Sequence, residues 1–254
     1  MLVFVSVGWG RQQEVAKPIQ DNSFLIEEAY NQEDNVVQHI SNGTIYHRDF
    51  AYSFTQEWPL GGQAHQLSFT IPYLTFDSFA NHGVGDILIN YRYQALFEEH
   101  SVAVAPRASV ILPTGSKSDG MGWGVVGLQF SVPASIELSE EWVTHLNIGT
   151  TVLPNVTGGP NKATLISVSS GASLIWLVKS TFNIMLEMVY NSNAGIEDDG
   201  ASTREQEFIL NPAIRGAINV GDLQIVPGIG VPLSFRKEGM RPGVFVYLSF
   251  EHPY

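Results

Sequence analysis

A chain of 254 residues with 15% charged side chains, 44% hydrophobic ones and no cysteine has room for one large barrel or two small domains. It can hold no disulfide framework, thiolate zinc site or cysteine nucleophile. The formal net charge of −12, from 25 acidic and 13 basic side chains, excludes nucleic acid as a partner, because counterion release needs clustered Lys and Arg.

The apolar opening, Met1 to Gly10, lacks a basic n-region and is too short for a membrane helix, which needs roughly 18 apolar residues or more. Residues 1–17 read as the remnant of a secretion signal, although no A-x-A site is visible; a short apolar strand is the alternative. Residues 18–34 show no strand period and form an N-terminal segment suited to plug a lumen. From 35 to 254 the chain alternates apolar and polar residues with period two, the signature of strands with one greasy and one wet face. Residues 35–47 do so weakly. Phe50, Tyr52, Phe54 and Trp58 then oppose Ser53, Thr55 and Glu57, and Leu67, Phe69 and Ile71 oppose Gln66, Ser68 and Thr70. Over 86–97, Ile87, Ile89, Tyr91 and Tyr93 oppose Asn90, Arg92 and Gln94. Val104, Ala108, Val110 and Leu112 oppose Arg107 and Ser109. Over 122–138, Leu128, Phe130 and Val132 oppose Gln129, Ser131 and Glu137. Leu146 and Ile148 oppose His145 and Asn147, and 162–178 alternates weakly. Ile184, Leu186, Met188 and Tyr190 oppose Asn183 and Glu187. Over 203–220, Phe208, Leu210 and Ile214 oppose Glu207, Asn211 and Arg215; 221–233 is weak again. Val244, Val246, Leu248 and Phe250 close against Ser249 and Glu251.

The sum is all-β: a single antiparallel transmembrane β-barrel of about twelve strands, an even number as bacterial outer-membrane barrels have. Turns such as Glu98-Glu99-His100, Ser139-Glu140-Glu141 and Lys179-Ser180 make it a meander of hairpins. A soluble lipocalin-like barrel would alternate too, but with its apolar face inward. The mid-strand Arg, Glu, His and Asn, with Gly127, Gly149, Gly171, Gly228 and Gly230 nearby, suit a narrow hydrated lumen instead. Several segments also reach the nine to eleven or so residues a membrane strand needs. Aromatics at segment ends (Trp58, Tyr73, Phe97, Trp123, Trp142, Trp176, Tyr190) match interfacial girdles. Pro72, Pro106, Pro133, Pro212 and Pro227 conflict with continuous ladders, because each lacks an N–H; they mark bulges or strand ends.

Three stretches carry a family likeness. They are residues 18–33 (opening Pro18-Ile19-Gln20-Asp21), Gly83-Val84-Gly85-Asp86 leading into the strand to Tyr93, and residues 105–115 ending Leu112-Pro113-Thr114-Gly115. The chain from residue 18 onward resembles a family of outer-membrane β-barrel transporters named after the meta-cleavage pathway of phenol degradation. The resemblance implies the bacterial outer membrane and passage of small hydrophobic or aromatic compounds. It supplies no catalytic residues. The C-terminal aromatic insertion signal is met only in part, with Pro253 before Tyr254.

Three functions follow as expectations. The first is a channel or transporter for small solutes, its lumen lined by Glu57, Arg92, Arg107, Glu137, His145, Glu187, Glu207, Arg215 and Glu251; such charges either orient solutes or pair to hold the lumen rigid. The second is a closed structural or binding barrel. The third is an outer-membrane lipid hydrolase: His39 and Ser41, two apart on a strand, share a face, and the His-x-Ser-Asn order is similar to that of outer-membrane lipid hydrolases. The seven His are dispersed and the acidic turns 117–120 and 197–200 lack calcium-loop spacing, so neither metal nor cofactor is expected. Expected partners are outer-membrane lipids, the barrel-insertion machinery and a small solute.

Overall fold

The computed structural model describes residues 23–76, 80–97, 101–197 and 199–254. The secretion-signal remnant at 1–17, the first five residues of the plug segment and the turn at 98–100 lie outside them. The strands are β1 (Val36–Tyr46), β2 (Asp49–Pro59), β3 (His65–Phe76), β4 (Asn81–Val84), β5 (Ile87–Tyr93), β6 (Val102–Val104), β7 (Arg107–Leu112) and β8 (Gly127–Ser139). They continue as β9 (Trp142–Gly158), β10 (Asn161–Lys179), β11 (Phe182–Ile196), β12 (Ser202–Gly216), β13 (Ile218–Val220), β14 (Leu223–Gly230), β15 (Leu233–Arg236) and β16 (Gly239–Pro253).

Each strand pairs antiparallel with its neighbours. β4–β5, β6–β7, β12–β13 and β14–β15 each run as one interrupted stave, which leaves twelve staves. β1 closes on β16 in unbroken register from Val36 opposite Pro253 to Tyr46 opposite Gly243. Closure leaves no free edge, so every ladder N–H and C=O has a neighbour, the condition for crossing lipid. Three sequence expectations shift. The strand expected over 122–138 begins only at Gly127, the one over 203–220 is interrupted at Ala217, and the ladder expected over 86–97 ends at Tyr93.

The prolines explain the interruptions. In an antiparallel strand the N–H and C=O of a residue point to the same neighbour, so a proline leaves a gap on one side only. In four cases that side meets a break. Gly85 N donates to Pro72 O at 2.8 Å between β4 and β5, and Ala105 N donates to Pro133 O at 3.2 Å between β6 and β7. Val231 N donates to Pro212 O at 3.0 Å between β14 and β15, and Tyr93 N donates to Pro106 O at 3.0 Å at the end of β5, where its ladder stops. Each carbonyl keeps its partner where no N–H is asked for.

The two faces are inverted relative to a water-soluble protein. Among the described residues, Leu128, Phe130, Ile148, Leu186, Met188 and Val246 are exposed, while Gln66, Asn90, Arg92, His145, Glu187 and Asn211 are buried. Apolar residues therefore coat the outside and polar residues the inside, as lipid outside and a hydrated lumen require. Near the short turns, outward aromatics gather: Trp142 and Trp176 stack with ring centroids 5.8 Å apart, and His65 lies against Tyr91 and Tyr93.

Candidate functional site: the lumen and its strap

Residues 23–34 run inside the barrel as a strap without regular structure. A chain that forms no ladder must find other partners for its N–H groups, and inward side chains of the wall supply them. Glu187 Oε1 accepts from Phe24 N and Leu25 N, both at 2.8 Å, while its Oε2 accepts from Asn211 Nδ2 at 2.7 Å. Ser135 Oγ accepts from Ala29 N at 2.8 Å, Gln94 Oε1 from Asn31 N at 2.9 Å and Gln66 Oε1 from Gln32 N at 2.7 Å. The strap is thus tied to β11, β8, β3 and the chain just after β5. A buried polar network of this kind is stable only when complete, because each buried N–H left alone costs about 1–3 kcal/mol.

Ion pairs reinforce the ties. Arg92 of β5 donates from Nε to Asn31 Oδ1 at 2.8 Å, also bonds Tyr30 O, and faces Glu28 at 3.6 Å. Arg107 of β7 meets Glu27 at 2.7 Å and Gln129 Oε1 at 2.7 Å. Apolar contacts seat the end near Ser23: Phe24 stacks on Phe245 and Tyr247 of β16, with centroids 5.3 and 4.9 Å away. Two glycines make the seat. A Cβ on Gly228 would lie 2.3 Å from Phe24 Cζ, and one on Gly171 would lie 2.4 Å from Ile26 Cγ2.

The structure places eight of the nine expected lumen charges in the lumen. Arg92 and Arg107 hold the strap through ion pairs, and Glu187 through its backbone. Glu57 accepts from Gln66 Nε2 at 2.9 Å, and Glu251 accepts from Gln38 Nε2 at 2.6 Å. His145 sits 2.7 Å from Ser135 Oγ, Glu207 takes Arg236 Nε at 2.8 Å, and Arg215 is buried on the inner wall. Glu137 is the exception. It shares the inward parity, yet it lies two residues from the end of β8 and is exposed at the rim. His39 and Ser41 share a face as expected, but it is the outward face, and their partners differ. His39 Nε2 lies 3.3 Å from His252 Nε2, and Ser41 Oγ lies 3.1 Å from Tyr52 Oη.

The inward Gln38, Gln66, Gln94, Ser135 and Ser173 were not singled out in the sequence. Their only signal was parity, because an uncharged amide or hydroxyl on a wet face looks like filler until its partner is known. Asp86 stands in the sequence only as the end of the Gly83-Val84-Gly85-Asp86 motif, with no role assigned to it. Its carboxylate accepts from Gly115 N at 2.9 Å and Trp123 N at 2.8 Å and so pins the loop 113–126 at one mouth. Beneath that loop lies a chamber of about 520 Å³, with Leu88, Ile111, Leu153 and Val156 on its apolar side and Asp86, Lys117, Gln129 and Thr151 among its polar lining. Two further cavities flank the strap. One, of about 240 Å³, faces β1 to β7, and one, of about 290 Å³, faces β8 to β11.

No protein-family model matches the chain, and no curated protein matches it. Among solved structures it is similar to an outer membrane channel from Pseudomonas putida F1. The two are 10% identical with a TM-score of 0.64, over 89% of this chain and 98% of that one. It is also similar to the NanC porin, at 9% identity and a TM-score of 0.55, over 84% of this chain and 98% of that one. At such identities the likeness establishes the fold, a closed antiparallel barrel shared with outer-membrane channels.

Proposed function

We propose that the protein is a channel for small solutes in a bacterial outer membrane, with the strap 23–34 as its constriction. The observation that carries this reading is the inverted barrel itself: an apolar outer wall around a polar lumen that keeps open space on both sides of the strap. Longer loops mark the extracellular end of such barrels, and the length of loop 113–126 supports reading its mouth as the outer one. Membrane lipids are then the partner of the outer wall, and the barrel-insertion machinery delivers the chain. Single-channel recording in planar bilayers tests the reading. The intact protein is expected to pass a small ion current, and removal of residues 23–34 to raise it several-fold. Absence of current from both would leave the closed structural barrel in its place.

On the solute, the apolar side of the chamber under loop 113–126, formed by Leu88, Ile111, Leu153 and Val156, supports the small hydrophobic or aromatic compounds that the family resemblance implies. Uptake of an aromatic such as toluene by cells producing the protein, compared with cells producing a variant that carries Leu88→Asp and Leu153→Asp, checks this. Equal uptake by the two would remove the chamber from the path.

A further inference from the structure

We propose that the cavity between the strap and the β1–β7 wall is a binding subsite for a small, uncharged, polyhydroxylated solute; the proposal rests on the channel reading. The cavity is a different chamber from the one under loop 113–126, and its wall is richer in polar side chains. Strand parity turns Asn42, Thr55, Thr70 and Asn90 into it, together with Glu57 and Arg107. Three of its polar atoms are buried without a protein partner: Asn42 Oδ1, Asn90 Oδ1 and Arg107 Nε. Asn90 is only 2% exposed, and its Nδ2 is already engaged by Ser68 Oγ at 3.1 Å, so its oxygen is the atom left to offer. Thr55 and Thr70 share a hydrogen bond of 2.9 Å between their hydroxyls; Thr70 Oγ1 also accepts from Asn90 Nδ2 at 3.4 Å, and Thr55 keeps a further lone pair for a ligand.

The unmet groups are two acceptors and one donor. A ligand that satisfies them must both donate and accept, as a hydroxyl does; an ammonium group only donates. An anion is disfavoured, because the guanidinium of Arg107 already faces Glu27 at 2.7 Å and that of Arg92 faces Glu28 at 3.6 Å, while Glu57 adds a third carboxylate. Tyr247 and Phe24, stacked 4.9 Å apart at the cavity's border, give the C–H face of a polyol an apolar surface to rest on. Size sets the upper limit. The volume of about 240 Å³ falls below the 300–1,000 Å³ or so of pockets for drug-sized ligands, and equals about eight waters at roughly 30 Å³ each. A pentitol or a single sugar ring has that bulk.

The test is current blockade of the intact protein in planar bilayers, with xylitol and D-glucose as probes and benzyl alcohol as the apolar comparison. The expected result is a dose-dependent interruption of the current by xylitol or glucose. The half-blocking concentration should rise at least ten-fold when Asn42→Ala and Asn90→Ala are combined. Thr55→Val, which keeps the shape and removes one hydroxyl, should raise it about three-fold and serves if the double variant fails to fold. Current without blockade by either polyol overturns the subsite and leaves the channel standing. Blockade that is indifferent to these substitutions, or stronger with benzyl alcohol than with xylitol, also overturns the subsite. Absence of any current overturns both.

Discussion

At the residue scale, the strap is held by a few side chains whose roles differ in kind. Glu187 is a hub: one oxygen serves two strap N–H groups and the other serves Asn211. Glu187→Ala would leave three donors without this acceptor, the N–H groups of Phe24 and Leu25 and Asn211 Nδ2, at about 1–3 kcal/mol for each buried one, far more than a surface change costs. The expected outcome is a loosened strap, read as a larger open-channel current and faster proteolysis within 23–34. Gly228 acts by what it lacks. The Gly228→Ala methyl would need the space of a rigid ring, since its Cβ falls 2.3 Å from Phe24 Cζ. Overpacking of this kind costs about 1–3 kcal/mol. Its current should rise as well, and pairing it with Phe24→Leu should restore the small current of the parent. Gly171 and Gly228 stood out in the sequence as small residues of a narrow lumen. That they are seats for Ile26 and Phe24 was hidden, because the residues that fill them are distant in the chain and belong to no periodic element.

At the element scale, the question is how strands survive their prolines. The missing N–H of Pro133 points at the interruption between β6 and β7, so restoring it with Pro133→Ala adds a donor where the ladder is already broken. Its unfolding free energy in lipid vesicles should stay within about 0.5 kcal/mol of the parent. Leu174→Pro makes the opposite case. Leu174 lies in continuous ladders with Thr144 on one side and Leu186 on the other, so a proline there strips a bond whichever way it faces. A loss of at least about 2 kcal/mol is expected, from the broken bond and the stranded carbonyl. Denaturant titration of the two variants beside the parent decides the matter. Period two located the strands well, but it could not see where a stave is broken, because a bulge preserves local alternation on both sides of itself.

At the scale of the whole molecule, the inverted surface makes a prediction that a water-soluble barrel would fail. Ile148 is 64% exposed on the outer wall, in the continuous part of β9. In water, Ile148→Arg would be nearly neutral. In a bilayer, a charge on the lipid face near the midplane costs about 2–4 kcal/mol. Reversible folding into vesicles should show that loss, whereas Asn147→Arg, one residue along and facing the lumen, should show much less. Equal effects at the two positions would contradict the assignment of faces.

What the sequence determined by itself is the architecture. Alternation is a local property, readable one strand at a time, and a poor supply of charge with a normal supply of apolar residues already placed the grease outside. Parity also assigns a face to each charge without knowledge of neighbours, but it does not say how near the rim a residue such as Glu137 lies. Tertiary structure alone decided what those charges meet. Arg92 and Arg107 were expected to orient solutes or to pair and hold the lumen rigid; that their partners are Glu28 and Glu27 of the strap could not be read, since nothing local says where the strap runs. The same holds for His39 and Ser41, which a strand sets on one face as expected. Only barrel closure shows that this face looks outward and that each finds a different partner.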